Sequence, residues 1–287
     1  MPQAAPFEGF KLAFDRRGSG PPVVMLHGWP GDRTDYELLA PVVADFADVI
    51  TPDLRGFGES DKHRADPEEH YSPQAQARAV AALMDELGVS GAVLAGYDVG
   101  SLVAQTVAAI RPELVKALVV SPPLPGGGKR VLQLTAVKEF WYTSFHQLDL
   151  IEDILDGNRD GVRSYLRHFW NHWSGPDYTV DNRRLDHLTD MYSQPGAFVA
   201  AAQWYRSSGN PVTAYAAETT PSPADRLTTP TTILWQEHDA IFPQGWSDRL
   251  SDFFTDYTYV ELPGVGHFTP LEATEVFVEA ILQRIKS

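Results

Sequence analysis

The chain has 287 residues, no cysteine and a formal net charge of −15 at pH 7. The acidic balance disfavours nucleic acid and anionic membranes as partners, since both select basic surfaces. Without cysteine, disulfides, thiolate metal sites and thiol catalysis are excluded. The N-terminal segment lacks the pattern of a signal peptide, and no apolar run approaches the roughly 20 residues of a membrane span. We therefore expect a cytoplasmic protein that uses neither nucleic acid nor a membrane as a partner.

Short β-rich runs alternate with helix-like segments, a pattern that predicts an α/β fold with a mostly parallel central sheet flanked by helices. The predicted strands cover residues 22–26, 48–51, 92–95, 116–120, 231–235 and 257–260. The predicted helices cover residues 36–46, 73–87, 102–110 and 277–285. A chain of this length is compatible with a single α/β core.

The alternation breaks between about Leu124 and Leu227, where helix-compatible patterns replace strands. An insertion between two sheet strands, at their C-terminal ends, would cover an active site. We therefore predict a core formed by residues 1–123 and 228–287, with a helical lid, or cap, over residues 124–227. The insertion is rich in aromatic residues, most of which we expect to form its own hydrophobic core: Phe140, Trp141, Tyr142, Phe145, Phe169, Trp170, Trp173, Trp204 and Tyr205.

The segment Gly96-Tyr97-Asp98-Val99-Gly100 lies between a predicted strand and a predicted helix. Its spacing, small-x-nucleophile-x-small, is that of a nucleophile elbow. Hydrolases with this pattern ordinarily have serine at the centre, and here the residue is Asp98. An aspartate is ionised at neutral pH, because its reference pKa is about 3.9, and it needs no base before attack. Attack by Asp98 on a saturated carbon would give an ester that a second step must hydrolyse.

Hydrolysis of such an ester requires a base and a carboxylate that orients it, in the chain order nucleophile, acid, histidine. Asp239 follows the predicted strand that ends at Trp235, and His267 follows the strand at 257–260. Asp239 would orient His267, which would activate water. Glu237 and His238 are the nearest competitors for these roles, but their different positions in the turn would point them elsewhere.

The ester carbonyl also needs an oxyanion hole during water attack. Hydrolases with a nucleophile elbow use one backbone N–H from the residue after the nucleophile and a second from the loop after an early strand. Here these are the amides of Val99 and of Trp29, which follows the predicted strand at 22–26. His168 and His172 have the spacing of a metal pair on a helix. The sequence offers no third ligand beside them, so we predict neither a metal nor another cofactor.

The chain resembles α/β-hydrolases of the epoxide hydrolase family across essentially its full length. The motifs that carry the resemblance are His27-Gly28-Trp29-Pro30-Gly31, the elbow at Asp98 and the Asp239/His267 pair. Two lid segments, 140–147 and 203–206, resemble those that present the family's two lid tyrosines, and the matching positions are Tyr142 and Tyr205. The family often has His-Asp-Trp at the elbow, where this chain has Tyr97-Asp98-Val99. That departure keeps the nucleophile and changes its neighbours.

The tyrosines also make chemical sense, because opening an epoxide releases an alkoxide, which is a poor leaving group unless it is hydrogen-bonded or protonated. A phenol, with a reference pKa of about 10, donates to that oxygen while remaining neutral at pH 7. We therefore predict Tyr142 and Tyr205 as donors to the ring oxygen. Tyr97 and Tyr165 are weaker alternatives.

The resemblance implies an epoxide hydrolase that forms a vicinal diol through a covalent Asp98 ester. A haloalkane or haloacetate dehalogenase with the same Asp-His-Asp machinery is the alternative. Haloalkane dehalogenases typically have tryptophan after the nucleophile, where this chain has Val99. Haloacetate dehalogenases have arginines in the following residues, which are absent here. A carboxylesterase is disfavoured because Ser101 lies outside the elbow tip, and a non-catalytic ligand-binding homologue is less expected still.

The aromatic lid suggests a small, apolar epoxide as the substrate, and the protein is expected to be a monomer or a homodimer. Besides the catalytic residues, six aromatic side chains are predicted to contact the substrate: Trp29, Tyr97, Trp141, Phe145, Trp204 and Phe268.

Overall fold

A computed structural model describes residues 2–287, which contain a seven-stranded sheet of order β1-β3-β2-β4-β5-β6-β7. Strand β1 is antiparallel to β3, and every other neighbouring pair is parallel. The strands are β1 (Phe14–Gly18), β2 (Pro22–Leu26), β3 (Asp48–Pro52), β4 (Ala92–Gly96), β5 (Val115–Val120), β6 (Thr231–Gln236) and β7 (Tyr257–Leu262). The fold class predicted from the sequence is thus confirmed.

Helices cover the sheet where its strands are apolar on both faces, as parallel strands require. All five residues of β4 and all six of β6 are buried. Because β2, β4, β6 and β7 run parallel in the sheet, their C-terminal ends lie at the same edge. Ligands bind at this edge in open α/β folds. The flanking helices are α1 (Leu39–Ala44), α2 (Pro67–Tyr71), α3 (Pro73–Glu86), α4 (Val99–Ile110), α12 (Thr269–Glu272) and α13 (Thr274–Lys286).

Between β5 and β6 the chain forms seven α-helices and no strand within a sheet. Short 3₁₀ turns at 128–132 and 223–225 flank them. The helices are α5 (Leu134–Glu139), α6 (Trp141–Phe145), α7 (Leu150–Leu155), α8 (Arg159–Trp173), α9 (Asn182–Tyr192), α10 (Ala197–Arg206) and α11 (Pro211–Ala216). We call the segment from 124 to 227 the lid, with the boundaries expected from the sequence.

Several elements differ from the sequence-based expectation: the short helices α2 and α12 were not predicted, and α4 and α13 each begin three residues earlier than expected. Strand β1 was not predicted, because three of its five residues are exposed and polar or glycine, and it pairs on one side only at the sheet edge. The helix expected over 36–46 is shorter and starts later, at Leu39. Pro41 explains the late start, since proline is accepted in the first turn of a helix and breaks a helix interior.

No helix among residues 2–287 combines the length and apolarity needed to cross a bilayer.

Candidate active site

Asp98 lies at the turn between β4 and α4 with φ 49° and ψ −127°. A positive φ is strained for a residue with a side chain and is typical of nucleophile elbows. The close backbone approach around the turn requires glycine: a Cβ at Gly96 would lie 2.5 Å from the Gly100 carbonyl oxygen, and one at Gly100 would lie 1.9 Å from that of Leu26. These glycines therefore let the turn expose the Asp98 carboxylate at the carboxyl edge of the sheet.

The structure brings Asp98, His267 and Asp239 together. His267 Nδ1 lies 2.9 Å from Asp239 Oδ2, and its Nε2 lies 3.3 Å from Asp98 Oδ2. The other carboxylate oxygen of Asp239 accepts hydrogen bonds from the backbone N–H groups of Ile241, at 2.9 Å, and Phe242, at 3.1 Å. Asp239 is thereby fixed by the turn that carries it, and its free oxygen faces His267.

Electrostatics favour the protonated form of His267. Complete burial opposes the charged imidazolium, but the nearby carboxylates of Asp239 and Asp98 outweigh it and raise the pKa of His267 to about 10. The imidazolium thus lies between two acidic side chains in the absence of substrate. Any change that removes the charge of one carboxylate would lower this pKa.

The backbone N–H of Trp29 donates a hydrogen bond of 2.8 Å to Asp98 Oδ1. His27 fixes the loop that carries this donor: its Nε2 accepts from the Leu54 N–H at 3.0 Å, and its Nδ1 lies 2.9 Å from the Gly28 carbonyl oxygen. Val99 is the first residue of α4, so its N–H has no partner within the helix. Of the two predicted oxyanion amides, that of Trp29 contacts the Asp98 carboxylate and that of Val99 follows Asp98 directly in the chain.

Glu272 supports the His267 loop, a role that the sequence analysis missed. One carboxylate oxygen accepts from the N–H groups of Gly175 and Gly266, both at 2.8 Å, and the other accepts from that of Phe268 at 3.0 Å. Burial raises the pKa of Glu272, although these three donors oppose the shift. The carboxylate therefore ties the residues on both sides of His267 to the end of lid helix α8. The spacing from His267 to Glu272 alone gave no signal of this role.

The lid places Tyr142 and Tyr205 together above the elbow. Their ring centroids lie 5.4 Å apart at an interplanar angle of 84°. The Trp29 ring stacks on Tyr142 at 5.5 Å and 3°. Burial, reinforced by the Asp98 charge, raises the pKa of both phenols well above the ordinary value. Both hydroxyls are therefore neutral donors at any physiological pH.

Asp98, Tyr142 and Tyr205 line one small chamber with a volume of about 10 Å³. The remaining lining residues come from the core and from the lid: Val99, Leu102, Pro123, Trp204, Gly209, Pro211 and Phe242. Of these, only Val99 and Trp204 were identified from the sequence. The Asp98 carboxylate and the two phenols thus face a common space.

The other residues predicted to contact substrate lie around this chamber and not on its wall. The Trp29 ring packs against the rings of Tyr142 and Tyr205. The hydroxyl of the buried Tyr97 donates a hydrogen bond of 2.7 Å to Asp35. Phe268 stacks on Trp170 with centroids 3.7 Å apart. Trp141 is 43% exposed and Phe145 packs beside it. Direct contact of Trp141, Phe145, Phe268 and Tyr97 with substrate is therefore not supported by this closed arrangement.

The rejected alternatives have other partners. Glu237 accepts a hydrogen bond from the Gly264 N–H at 2.9 Å, and His238 is exposed. The hydroxyl of Tyr165 lies 3.0 Å from His146 Nε2. His172 pairs with Glu139 at 2.6 Å. Within residues 2–287, no group of three or more side chains is arranged to hold a metal ion.

Lid helix α9 is joined to the loop after β2 by two ion pairs. Arg184 Nη1 lies 3.0 Å from Asp35 Oδ1, and His187 Nε2 lies 2.7 Å from Asp32 Oδ2. The hydrogen bond to Asp32 raises the pKa of His187, although its partial burial opposes that shift. These pairs connect the lid to the segment that follows the Trp29 amide.

Comparisons with known proteins identify the family to which the chain belongs. The model of the α/β hydrolase fold family matches residues 21–274. The soluble epoxide hydrolase of Corynebacterium sp. strain C12 is 25% identical over 97% of this chain and 95% of its own length. Haloalkane dehalogenase 2 of Mycobacterium tuberculosis is 23% identical over 99% of this chain and 96% of its own.

Among solved structures, a protein of Klebsiella pneumoniae subsp. pneumoniae, provisionally assigned as an epoxide hydrolase, has a TM-score of 0.83 at 26% identity. The match covers 100% of this chain and 97% of that one. The epoxide hydrolase of Bacillus megaterium also has a TM-score of 0.83, at 18% identity and full coverage of both chains, and shows the shared fold. The resemblance to epoxide hydrolases inferred from the sequence is thus confirmed, and the chain belongs to the α/β-hydrolase superfamily.

Proposed function

We propose that this hydrolase adds water to an epoxide and releases a vicinal diol. The observation that carries the proposal is the chamber itself, in which the carboxylate of Asp98 faces two neutral phenols. A carboxylate suits attack on a saturated carbon. Two phenols suit the alkoxide that leaves when an oxirane opens. The cytoplasmic location and the absence of a cofactor remain expectations from the sequence.

In the first step, one Asp98 oxygen attacks a ring carbon and the carbon–oxygen bond of the epoxide breaks. Tyr142 and Tyr205 donate hydrogen bonds to the departing oxygen, and one of them supplies the proton that makes it a hydroxyl. The enzyme then holds the substrate as an ester of Asp98. His267 is not required as a base in this step, in agreement with its raised pKa.

In the second step, water attacks the ester carbonyl. Esterification removes the negative charge of Asp98, so the pKa of His267 falls and the imidazolium releases its proton, which restores the phenol that protonated the alkoxide. The neutral imidazole can then accept a proton from the attacking water. Asp239 holds the ring through Nδ1 and leaves Nε2 for this transfer. The Trp29 and Val99 amides stabilise the oxyanion. Its collapse expels the second diol oxygen, which takes the proton of the new carboxylic acid, so the diol leaves, Asp98 is again a carboxylate and His267 is again an imidazolium.

A dehalogenase is the second candidate, and one observation favours it. The buried indole N–H of Trp29 has no hydrogen-bond partner among the described residues, and indole N–H groups can donate to a departing halide. The phenols of Tyr142 and Tyr205, in contact with the same ring, favour an oxygen leaving group. A halide needs no proton, whereas an alkoxide does.

The experiment that separates these functions is a turnover screen of styrene oxide and aliphatic epoxides beside haloalkanes and fluoroacetate. Diol formation without halide release is expected. The mechanism is then tested in a single turnover in ¹⁸O-water with enzyme in excess. Water attacks the carbonyl carbon, so the first diol should contain mostly unlabelled oxygen and the label should enter the Asp98 carboxylate. Label in the first diol and none in the enzyme would contradict the covalent mechanism.

A further inference from the structure

The catalytic chamber is too small to hold a whole substituted epoxide. Its volume of about 10 Å³ corresponds to about one water molecule. The oxirane can displace water and shift side chains at the reacting centre, but any substituent must extend beyond the chamber.

A much larger cavity, of about 430 Å³, adjoins this chamber. The two share the wall residues Leu102, Pro123 and Pro211. We call the larger space the outer cavity. It lies between helix α4, the loop at 121–125 and lid helix α11, and the side chains of Leu227, Phe253 and Phe254 also line it. Its volume falls within the range of roughly 300–1,000 Å³ that is typical of small-molecule sites.

The α4 side of the outer cavity forms a path from the chamber to the surface. Leu102, Thr106, Ala109 and Ile110 all line it. Residues three and four apart share one face of a helix. Leu102 also borders the chamber, whereas Ala109 and Ile110 are exposed. The stripe therefore runs outward from the nucleophile for about two helical turns.

Gln105 and Glu218, two of the polar residues that line the outer cavity, already have hydrogen-bond partners. The amide of Gln105 donates to the carbonyl oxygens of Ser101 and Pro123, both at 3.1 Å. Glu218 accepts from the Gly126 N–H at 2.8 Å. A ligand there does not need polar groups to satisfy these side chains, so the site favours an apolar occupant.

The lid is held by polar contacts at several places, including Glu218 beside the outer cavity, whose carboxylate lies 4.0 Å from Arg249. Its α9 edge is held by the two ion pairs described above, and the end of α8 is held by Glu272. Among residues 2–287, no hydrogen bond or ion pair joins α4 to α11 across the outer cavity. Widening of the passage at Leu102 and Pro211 therefore breaks no polar interaction between these two helices.

We propose that the outer cavity binds the apolar tail of a terminal epoxide, with the ring at Asp98 and the tail between Leu102, Pro123 and Pro211. This inference rests on the proposed epoxide hydrolase function and adds a substrate class to it: oxiranes with a medium-length, unbranched alkyl substituent. The tail leaves the chamber on the α4 side. The size of the outer cavity, and not that of the chamber, therefore limits the length of the tail that can bind.

The test is Ala109→Trp, which fills the outer cavity from an exposed helix position that does not line the chamber. Val276→Trp, at an exposed position of α13, is the matched control. We compare kcat/KM for 1,2-epoxydecane and 1,2-epoxybutane. Ala109→Trp should lower the decane-to-butane ratio by about tenfold or more, the effect of excluding about two methylenes from an apolar site. The control should leave the ratio unchanged. An unchanged ratio in Ala109→Trp would overturn the proposal.

A second measurement does not depend on turnover. Calorimetric titration with decane-1,2-diol and butane-1,2-diol should show tighter binding of the longer diol to the wild-type protein. Ala109→Trp should remove that preference and Val276→Trp should keep it. Failure of every epoxide to react would contradict the proposed function, whereas equal binding of the two diols to the wild type would contradict the tail site.

Discussion

The core and the lid hold their parts of the site in different ways. In the core, the carboxylates of Asp98 and Asp239 are fixed by backbone N–H groups and paired with His267. In the lid, Tyr142 and Tyr205 are placed by aromatic packing against each other and against Trp29. Charge-assisted hydrogen bonds are directional, whereas packed rings tolerate small shifts. In the proposed mechanism, bond making and water activation would therefore take place in a rigid core, and the leaving oxygen would be stabilised by a more adaptable lid.

The largest expected effect is in the core. His267→Gln should lower steady-state diol formation by about 10³-fold, within the range of lost general base catalysis, because the ester cannot be hydrolysed. Attack by Asp98 does not need this base, so an adduct with the mass of protein plus intact epoxide should accumulate, as measured by mass spectrometry of the intact protein. Exposed His238→Gln is the control and should form no lasting adduct. Full turnover by the His267 variant would show that His267 is not the base that activates water.

Substitution of the lid donors should affect the other half-reaction. Tyr142→Phe and Tyr205→Phe should each lower the rate of ester formation by about 10² while preserving the fold, because the alkoxide loses a donor. Rapid-quench measurement of the first turnover reports this step directly. Tyr257→Phe, in strand β7, should react at the wild-type rate. Wild-type ring opening by the double Phe variant would show that neither phenol is the donor.

Glu272→Gln should have a smaller effect on the core. The carboxamide has one acceptor oxygen for three backbone donors, so the loop around His267 loses a charge-assisted hydrogen bond. We expect kcat to fall by about tenfold, with KM nearly unchanged, equivalent to one such bond at the low end of its range. Positioning of His267 also predicts a changed pH profile for ester hydrolysis, measured well below Tm. Exposed Glu275→Gln should change neither, and a loss of Tm with an unaltered profile and kcat would indicate support of the fold alone.

The smallest effect concerns the attachment of the lid. The raised pKa of His187 means that its pair with Asp32 contributes most stability at pH values below the ordinary histidine pKa, and that the contribution is lost as pH rises through the raised value. His187→Gln should therefore reduce the fall in Tm from pH 6 to pH 9. Because His187 is partly exposed, we expect a contribution below about 1 kcal/mol. Arg159→Gln, which removes another lid ion pair, should leave the slope unchanged; an unchanged slope in His187→Gln would contradict the assignment.

The sequence predicted the core well because its signals are local. The elbow around Asp98 requires small residues on either side. Asp239 follows the fully buried strand β6, and His267 follows the mostly half-buried strand β7. Parallel strands then bring these loops to one edge of the sheet. The tyrosine positions came from resemblance of their flanking segments. Their meeting above Asp98 needs the packed lid and could not be derived from spacing.

The chamber wall was less predictable, because it depends on long-range packing. Leu102, Pro211 and Phe242 come from a core helix, a lid helix and the loop after β6, and nothing in their neighbours indicates a shared surface. Phe268 was predicted to contact substrate but does not line the chamber. It is adjacent to His267 in sequence, yet its ring turns away to stack on Trp170. Adjacency to a catalytic residue says little about side-chain direction.

The protonated state of His267 has a consequence for selectivity. With one imidazolium between two carboxylates, the buried triad has a net charge of −1 before substrate enters. Repulsion between like charges is poorly screened in a closed, apolar chamber. A substrate with its own carboxylate would approach against that charge and find no cationic side chain on the chamber wall to offset it. We therefore expect the proposed site to react with neutral epoxides in preference to epoxides that carry a carboxylate.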